Sequence, residues 1–210
     1  MLFILNSRAH LFSIFAPQLS LNMSLAQYYR KYVFCLEGDW QKDLRDNSSV
    51  RAALNFLQQN CKINYIYKQC GTRENLEYYL SLWQQKKYKD YSICYFAFHG
   101  QPESIQVGKE FVTLDELADI LQDSCHDKII HFGSCKTLNT DVKNIRRFLE
   151  HTGALGVCGF ETEINFVESS AFDMVLIEMF QQYKDIAMLD KNIRKNYRGT
   201  ANRLQFKLVY

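Results

Sequence analysis

The chain has few of the residues that break or loosen a fold. Only 2 prolines and 9 glycines occur among its 210 residues, which excludes a flexible linker or a low-complexity tract. No internal repeat is apparent, and this length suits one well-filled domain better than two. The composition, 47% hydrophobic and 23% charged, is typical of soluble globular proteins. We therefore expect a single domain.

The sequence also lacks a surplus of charge and a phosphate-binding motif. Lys and Arg number 25 against 23 Asp and Glu, so the formal net charge is only +2. This balance provides no bulk electrostatic argument for nucleic-acid binding. Neither G-x-G-x-x-G nor G-x-x-x-x-G-K-[ST] follows a predicted strand, which argues against a Rossmann-like nucleotide binder.

Paired cysteines are missing as well. The 7 cysteines are odd in number, and none forms a C-x-x-C pair. Most lie inside apolar segments, so we expect reduced thiols in a cytosol, several of them acting as small core residues. Neither Cys125 nor His131 has a partner at the spacing of metal ligands. His131 lies within a predicted strand, where we expect it to pack or to form a hydrogen bond.

The N-terminal segment contains no long apolar run. Residues 1–5 and 11–16 are apolar, but polar residues separate them and no basic segment precedes them. Neither run reaches the roughly 18 residues of a membrane span. We expect residues 1–22 to be a loosely ordered extension and residues 23–210 to form the domain, with Met23 as an alternative start. A poor signal peptide is the alternative.

Predicted strands and helices alternate from Lys31 onwards. Apolar segments predict strands that end near Leu36, Tyr67, His99, Cys135, Phe160 and Val209, with a small hairpin over Gln101–Val112. Apolar residues at helical spacing predict helices that begin near Ser49, Thr72, Thr113, Asp141, Ser169 or Ser170, and Asp185, and Glu116 completes a capping box with Thr113. This order predicts an α/β fold, namely a doubly wound, mostly parallel six-stranded sheet with helices on both faces.

Two of the predicted strands end on reactive side chains. Tyr91–Phe98 is followed by His99 and Gly100, and Lys128–Ser134 is followed by Cys135. In open α/β sheets, ligand-binding and active sites lie at the carboxyl ends of the strands. An imidazole beside a thiol can take its proton and later return it to a leaving amine. The sequence therefore predicts His99 as base and Cys135 as nucleophile, with the backbone N–H groups of Gly100 and Cys135 as oxyanion donors.

These motifs resemble those of the caspase-like (clan CD) cysteine peptidases. The shared pattern is an apolar block, His-Gly, a spacer, a second apolar block, a small residue and Cys. The bacterial CHAT-domain branch looks most similar, because Ser134-Cys135-Lys136-Thr137 and Gly153-Ala-Leu-Gly-Val-Cys-Gly159 resemble its nucleophile context and its following strand. The resemblance spans about residues 31–183. It implies peptide-bond hydrolysis by a His–Cys dyad through a thioester, with no cofactor.

The chain departs from parts of the family. Caspases hold their cysteine in a Gln-Ala-Cys-Arg-Gly context, which is absent here, so cleavage after aspartate is not implied. Caspase-like enzymes build the P1 pocket partly from the loops after the first and fifth strands. These loops contain carboxylates, of which we predict Glu37, Asp39, Glu161 and Glu163 as P1-pocket residues. Such a pocket favours Arg or Lys at P1, since a buried cation needs a paired charge.

The sequence thus predicts a cytoplasmic, caspase-like cysteine endopeptidase without metal or other cofactor. Its partners would be a protein or peptide substrate and an activating protein or ligand, because a cytosolic protease needs restraint. Neither nucleic-acid binding nor a membrane span is expected. The alternative is a catalytically inactive caspase-like interaction module.

Overall fold

The computed structural model describes residues 29–210, and the predicted extension over residues 1–22 lies outside the described residues, as does Met23. The strands are β1 Val33–Glu37, β2 Tyr65–Gln69, β3 Ile93–Ala97, β4 His99–Gln101, β5 Ser104–Val107, β6 Glu110–Thr113, β7 Ile129–Phe132, β8 Gly156–Phe160 and β9 Phe206–Val209. The α-helices are α1 Arg51–Cys61, α2 Arg73–Trp83, α3 Leu114–Leu121, α4 Val142–Thr152, α5 Phe166–Gln182, α6 Ile186–Asn196 and α7 Arg198–Arg203. Within this part of the chain, no helix has the length and apolar character that crossing a membrane requires.

Six strands form the main sheet in the order β2-β1-β3-β7-β8-β9. All neighbouring pairs are parallel except β8 and β9, where β9 forms an antiparallel edge. The predicted α/β class with a mostly parallel six-stranded sheet is therefore confirmed. Strands β3 and β7 are direct neighbours, with Phe96 opposite Phe132. The two strands that lead to His99 and Cys135 thus lie side by side, as predicted.

Helices cover both faces of the sheet and create two cores. Helices α2, α3 and α4 pack on one face, whereas α1, α5, α6 and α7 pack on the other. Strand β3 shows why both faces are apolar, because Cys94 and Phe96 point into the first core while Ile93 and Tyr95 point into the second. A parallel strand buried on both sides therefore has a continuous apolar sequence rather than an alternating one.

Two predicted helix starts are wrong. Helix α5 begins at Phe166, where the Asn165 side chain accepts hydrogen bonds from the N–H groups of Val167 and Glu168. Ser169 is instead buried inside the first turns of the helix. Asparagine is as good an N-cap as serine, and here the earlier of the two residues caps the helix.

Helix α1 does not use Ser49 as its N-cap. The residue before the helix is Val50, whose backbone N–H donates to Glu37 Oε1 at 2.7 Å. The Ser49 hydroxyl donates to the other oxygen of the same carboxylate. The Ser49 oxygen still accepts from the Arg51 N–H at 3.1 Å. The start of the helix is therefore held by this hydroxyl together with a carboxylate distant in sequence, and favourable interaction with the N-terminal end of the helix dipole supports the carboxylate. The capping box of Thr113 and Glu116 at the start of α3 is confirmed.

The predicted hairpin is a three-stranded antiparallel sheet with the order β4-β5-β6. Strand β3 ends at Ala97, and after Phe98 the chain enters β4, so His99 belongs to this small sheet. His99 is exposed although the strand leading to it is buried. The change of sheet at this point carries the imidazole from the core to the surface of the molecule.

Candidate active site

Backbone hydrogen bonds to the neighbouring strand ends hold the turn that carries Cys135. The Gly133 N–H donates to the Phe96 carbonyl at 2.9 Å, which continues the β3–β7 ladder past the end of β7. On the other side, the Lys136 N–H donates to the Thr162 carbonyl at 3.0 Å. Lys136 itself has a left-handed backbone with φ of 58°, which turns the chain directly after the cysteine. Cys135 is therefore held at the carboxyl ends of β3, β7 and β8.

The hydroxyl groups of Ser134 and Thr137 brace this turn from inside. Both residues are buried, and their oxygens are 2.7 Å apart in a hydrogen bond. Thr137 Oγ1 also donates to the Ser104 carbonyl at 3.2 Å, which links the turn to β5. The Ser-Cys-Lys-Thr motif thus has a structural role in addition to supplying the thiol.

Gly100 packs directly against the Cys135 turn. A Cβ atom at Gly100 would lie closer than 3.0 Å to the Cys135 carbonyl oxygen, to Thr137 Oγ1 and to Ser134 Cβ. Only glycine therefore fits at this position without a shift of the backbone. The two chain segments predicted to supply the oxyanion donors are in contact with each other.

The carbonyl oxygen of Trp40 orients the imidazole of His99. His99 Nε2 is 2.7 Å from this oxygen, which can only accept, so Nε2 carries the proton. The remaining ring nitrogen, Nδ1, is then free to act as a base in the neutral imidazole. The Trp40 indole also packs edge-on against the His99 ring, with the ring centres 5.4 Å apart. Sequence reasoning missed Trp40, since no local pattern marks a backbone carbonyl as an orienting group.

Trp40 is in turn held by Glu37. Its indole N–H donates to Glu37 Oε1 at 2.6 Å. Glu37 is only 2% exposed and also accepts from the Ser49 hydroxyl, the Val50 N–H and the Tyr67 hydroxyl. Four hydrogen bonds fill the acceptor sites of one carboxylate. Burial and the hydrogen bond to Glu37 raise the pKa of Tyr67 to about 12, so its hydroxyl remains a donor.

His99 and Cys135 border the same cavity, which has a volume of about 200 Å³. Trp40, Ile164 and Phe166 form apolar walls, while Tyr95 and Asp173 line it from the side of the second core. The Cys135 thiol faces the Ile164 carbonyl at 4.0 Å. The structure therefore brings the predicted base and nucleophile to the border of one cavity at the sheet end.

The four predicted P1 carboxylates lie elsewhere. Glu37 accepts the four hydrogen bonds described above, and the exposed Asp39 accepts one from Gln69. Both residues border a larger open cleft beyond His99. Glu161 pairs with Lys207, and Glu163 pairs with Lys136 at 2.6 Å. None of the four lines the cavity between His99 and Cys135.

Asp173 is the carboxylate that does line this cavity. It is 3% exposed and lies on α5, where its two oxygens accept from the Tyr95 hydroxyl at 2.7 Å and from His131 Nε2 at 2.8 Å. His131 is thus hydrogen-bonded within its strand, as predicted. Sequence reasoning missed Asp173. The one sequence feature that could have identified it is its position as an acidic residue on the apolar face of a helix, next to Phe172 and Leu176.

His131 and Asp173 form a buried ion pair below the cavity. His131 is fully buried, and its Nδ1 is 3.2 Å from the Cys158 sulfur. Burial on its own lowers the pKa of His131, but the interactions with Asp173 and Cys158 outweigh it and raise this pKa to about 10. These two neighbours therefore favour the protonated form of His131. Burial and the adjacent Asp173 charge hold the pKa of Tyr95 well above its usual value, so its hydroxyl stays protonated.

A family model matches residues 30–210, which is most of the chain. The protein belongs to DUF6642, a family of unknown function. Comparison with curated proteins yields no match. The DUF6642 match includes every strand and helix described above, so the site lies within the domain that defines the family.

The chemistry available to this DUF6642 protein comes from its own side chains and backbone. Across residues 29–210, no three His, Cys, Asp or Glu residues are grouped to hold a metal ion. The cavity instead combines a thiol, an imidazole with one free nitrogen, and a glycine-lined turn. Such a combination suits nucleophilic attack by sulfur with proton transfer by the imidazole.

Proposed function

We propose that this DUF6642 protein is a cysteine endopeptidase, a caspase-like thiol protease of the CHAT type, with His99 and Cys135 as its catalytic dyad. The observation that carries the proposal is the shared cavity, which both residues border. The orientation of His99 supports it further, because the Trp40 carbonyl binds the Nε2 proton and leaves Nδ1 as the base. The small turn around Cys135 leaves the thiol partly exposed to a substrate.

The proposed reaction has two stages. His99 Nδ1 takes the thiol proton, and the Cys135 thiolate attacks the scissile carbonyl to form a tetrahedral oxyanion. The N–H groups of Gly100 and Cys135 bind this oxyanion, an effect commonly worth about 10²–10³ in rate per donor. Collapse breaks the C–N bond, and protonated His99 donates its proton to the leaving amine. Water, deprotonated by His99, then hydrolyses the thioester and restores the thiol.

A basic P1 residue is part of the proposal. Asp173 supplies a carboxylate to the cavity wall, and Asp39 lies in the larger open cleft that His99 also borders. A positively charged side chain entering a confined site is stable there only with a partner of opposite charge. Peptides with Arg or Lys before the scissile bond are therefore the proposed substrates.

We further propose a cytoplasmic location and activation by a protein partner or a ligand. All 7 cysteines are free, and most are buried. Free thiols in this number suit a reducing compartment. In the described structure the Cys135 thiol faces the Ile164 carbonyl, so a small displacement of the Ile164 loop on binding would present it to His99 and substrate.

The test is covalent labelling of the purified protein by a peptidyl acyloxymethyl ketone with Arg at P1. We expect mass spectrometry to locate the label on Cys135 and to find it lost in His99→Ala and in Cys135→Ser. Cys61, which is also partly exposed, provides an internal control because it has no such site around it. Labelling of Cys135 that is absent, or that is equal in His99→Ala, would favour the inactive interaction module.

A further inference from the structure

Asp173 places a negative charge inside the cavity between His99 and Cys135. Among the described residues that line this cavity, it is the only one with a carboxylate. Its side chain reaches the cavity from α5, whereas the carboxylates of Glu161 and Glu163 pair with lysines outside it. A ligand side chain that enters past Cys135 therefore meets Asp173 and none of the acids predicted from the loops.

Asp173 retains acceptor capacity for such a ligand. Each carboxylate oxygen offers about two acceptor positions. Tyr95 uses one position on Oδ2 and His131 uses one on Oδ1, so one position on each oxygen remains. A carboxylate with one acceptor position left on each oxygen can accept hydrogen bonds from a guanidinium or an ammonium group. Tyr95 and His131 therefore orient the carboxylate without saturating it.

The size and walls of the cavity fit one long basic side chain. Its volume of about 200 Å³ lies below the range of roughly 300–1,000 Å³ typical of sites for whole small molecules. The aromatic rings of Trp40 and Phe166 provide apolar surface for the aliphatic stem of Arg or Lys. A cavity with apolar walls and one carboxylate at its inner end favours a side chain that has an apolar stem and a positive charge at its tip.

His131 occupies one side of the carboxylate. Its Nε2 lies 2.8 Å from Asp173 Oδ1, so a cationic side chain that enters the cavity shares the carboxylate with this donor.

We propose that Asp173, oriented by Tyr95 and His131, is the residue that selects a basic P1 side chain by binding its guanidinium or ammonium group. This inference rests on the proposed peptidase function and names the recognition group for it. It replaces the loop carboxylates Glu37, Asp39, Glu161 and Glu163 as the specificity determinant.

The experiment compares two acyloxymethyl ketone probes that differ only at P1, where one has Arg and the other its uncharged isostere citrulline. We expect wild-type protein to react through Cys135 at least tenfold faster with the Arg probe. In Asp173→Asn the two rates should become equal, while the rate with iodoacetamide, which has no P1 side chain, stays unchanged. Glu178→Gln on the same helix and Glu163→Gln on the loop should keep the wild-type ratio.

His131→Gln provides a second test that does not depend on the stability of Asp173→Asn. The neutral amide can still donate to Asp173 and orient it, so the Arg-to-citrulline ratio should stay at tenfold or more. A ratio near one, in this variant or in wild type, overturns the inference. If wild-type protein reacts equally fast with the Arg and citrulline probes, and both reactions require His99, only the role of Asp173 is overturned. Absence of any His99-dependent labelling overturns the peptidase proposal and this inference together.

Discussion

His99 Nε2 is held 2.7 Å from the carbonyl oxygen of Trp40. This contact joins β4 of the three-stranded sheet to the loop that follows β1 of the main sheet. It fixes the tautomer of the imidazole, and Glu37 fixes Trp40 in turn through the indole N–H. The proposed base is therefore positioned by a backbone group whose own position depends on a buried carboxylate.

The first prediction concerns Trp40. In Trp40→Ala the ring contacts with His99 and Phe166 disappear, and so does the hydrogen bond to Glu37. The carbonyl that orients His99 becomes less restrained, so we expect labelling of Cys135 by the Arg probe to slow by about tenfold or more, as is typical when a general base is misplaced. Leu44→Ala is the matched control, since Leu44 is fully exposed on the same loop. Equal rates in both variants would contradict the orienting role.

The second prediction concerns Gly100. A Cβ at this position collides with the Cys135 carbonyl and with Thr137, so Gly100→Ala must displace the turn that carries the nucleophile. We expect a loss of stability of about 1–3 kcal/mol, as for overpacked sites, together with loss of Cys135 labelling. Gly199→Ala in α7 is the control, because no atom of the described residues lies within 4 Å of the position that its Cβ would occupy. Thermal unfolding should show this control to be unchanged or slightly more stable.

The third prediction concerns the brace inside the Cys135 turn. Thr137→Val keeps the shape of the side chain but removes the hydroxyl, which leaves Ser134 Oγ and the Ser104 carbonyl without this partner. Loss of a buried hydrogen-bond partner costs about 1–3 kcal/mol, which urea unfolding can measure. Thr137→Ser retains the hydroxyl and should recover most of that stability. If Thr137→Val is as stable as wild type, the hydroxyl contributes no net stability to the turn.

The fourth prediction concerns the stability of the fold between pH 6.5 and pH 8. The pKa of His131 is about 10 in the folded protein and near 6.5 when the residue is exposed, so the folded state binds one more proton between these values. This contribution to stability is fully present below pH 6.5 and is lost as the pH rises towards 10. The free energy of unfolding should fall by about 1.4 kcal/mol per pH unit from this group.

Comparison of wild type with His131→Gln isolates the part of the pH dependence of the unfolding free energy that is due to His131. Urea unfolding of both proteins at pH 6.5, 7.25 and 8 should give a difference in stability that shrinks as the pH rises. Circular dichroism at each pH would verify that the variant is folded. Parallel curves for the two proteins would mean that His131 is neutral in the folded protein.

Several features of this protein followed from local patterns in its sequence. The alternation of apolar strands and amphipathic helices predicted the α/β class, and the two apolar segments that end near His99 and Cys135 form neighbouring strands. The Thr113–Glu116 capping box was also correct, because both partners lie within one turn of the same helix. The single strands and helices and the capping box depend on residues close together in the chain, where backbone geometry largely determines which side chains meet. The pairing of β3 with β7 follows instead from the rule that consecutive strands of an α/β fold are usually neighbours.

The groups around the cavity were decided by the tertiary structure. Asp173, Tyr95 and His131 lie on three different elements and meet only because α5 packs on the second face of the sheet. For the same reason the sequence could not distinguish Asp173 from the loop acids, all of which share its chemistry. The helix starts at Ser49 and Ser169 were mispredicted because a distant carboxylate binds the first turn in one case, and an equally good capping residue, Asn165, lies earlier in the chain in the other. Residue types and spacing determined which chemistry the chain can bring to the sheet end, while long-range packing decided which side chains face the cavity.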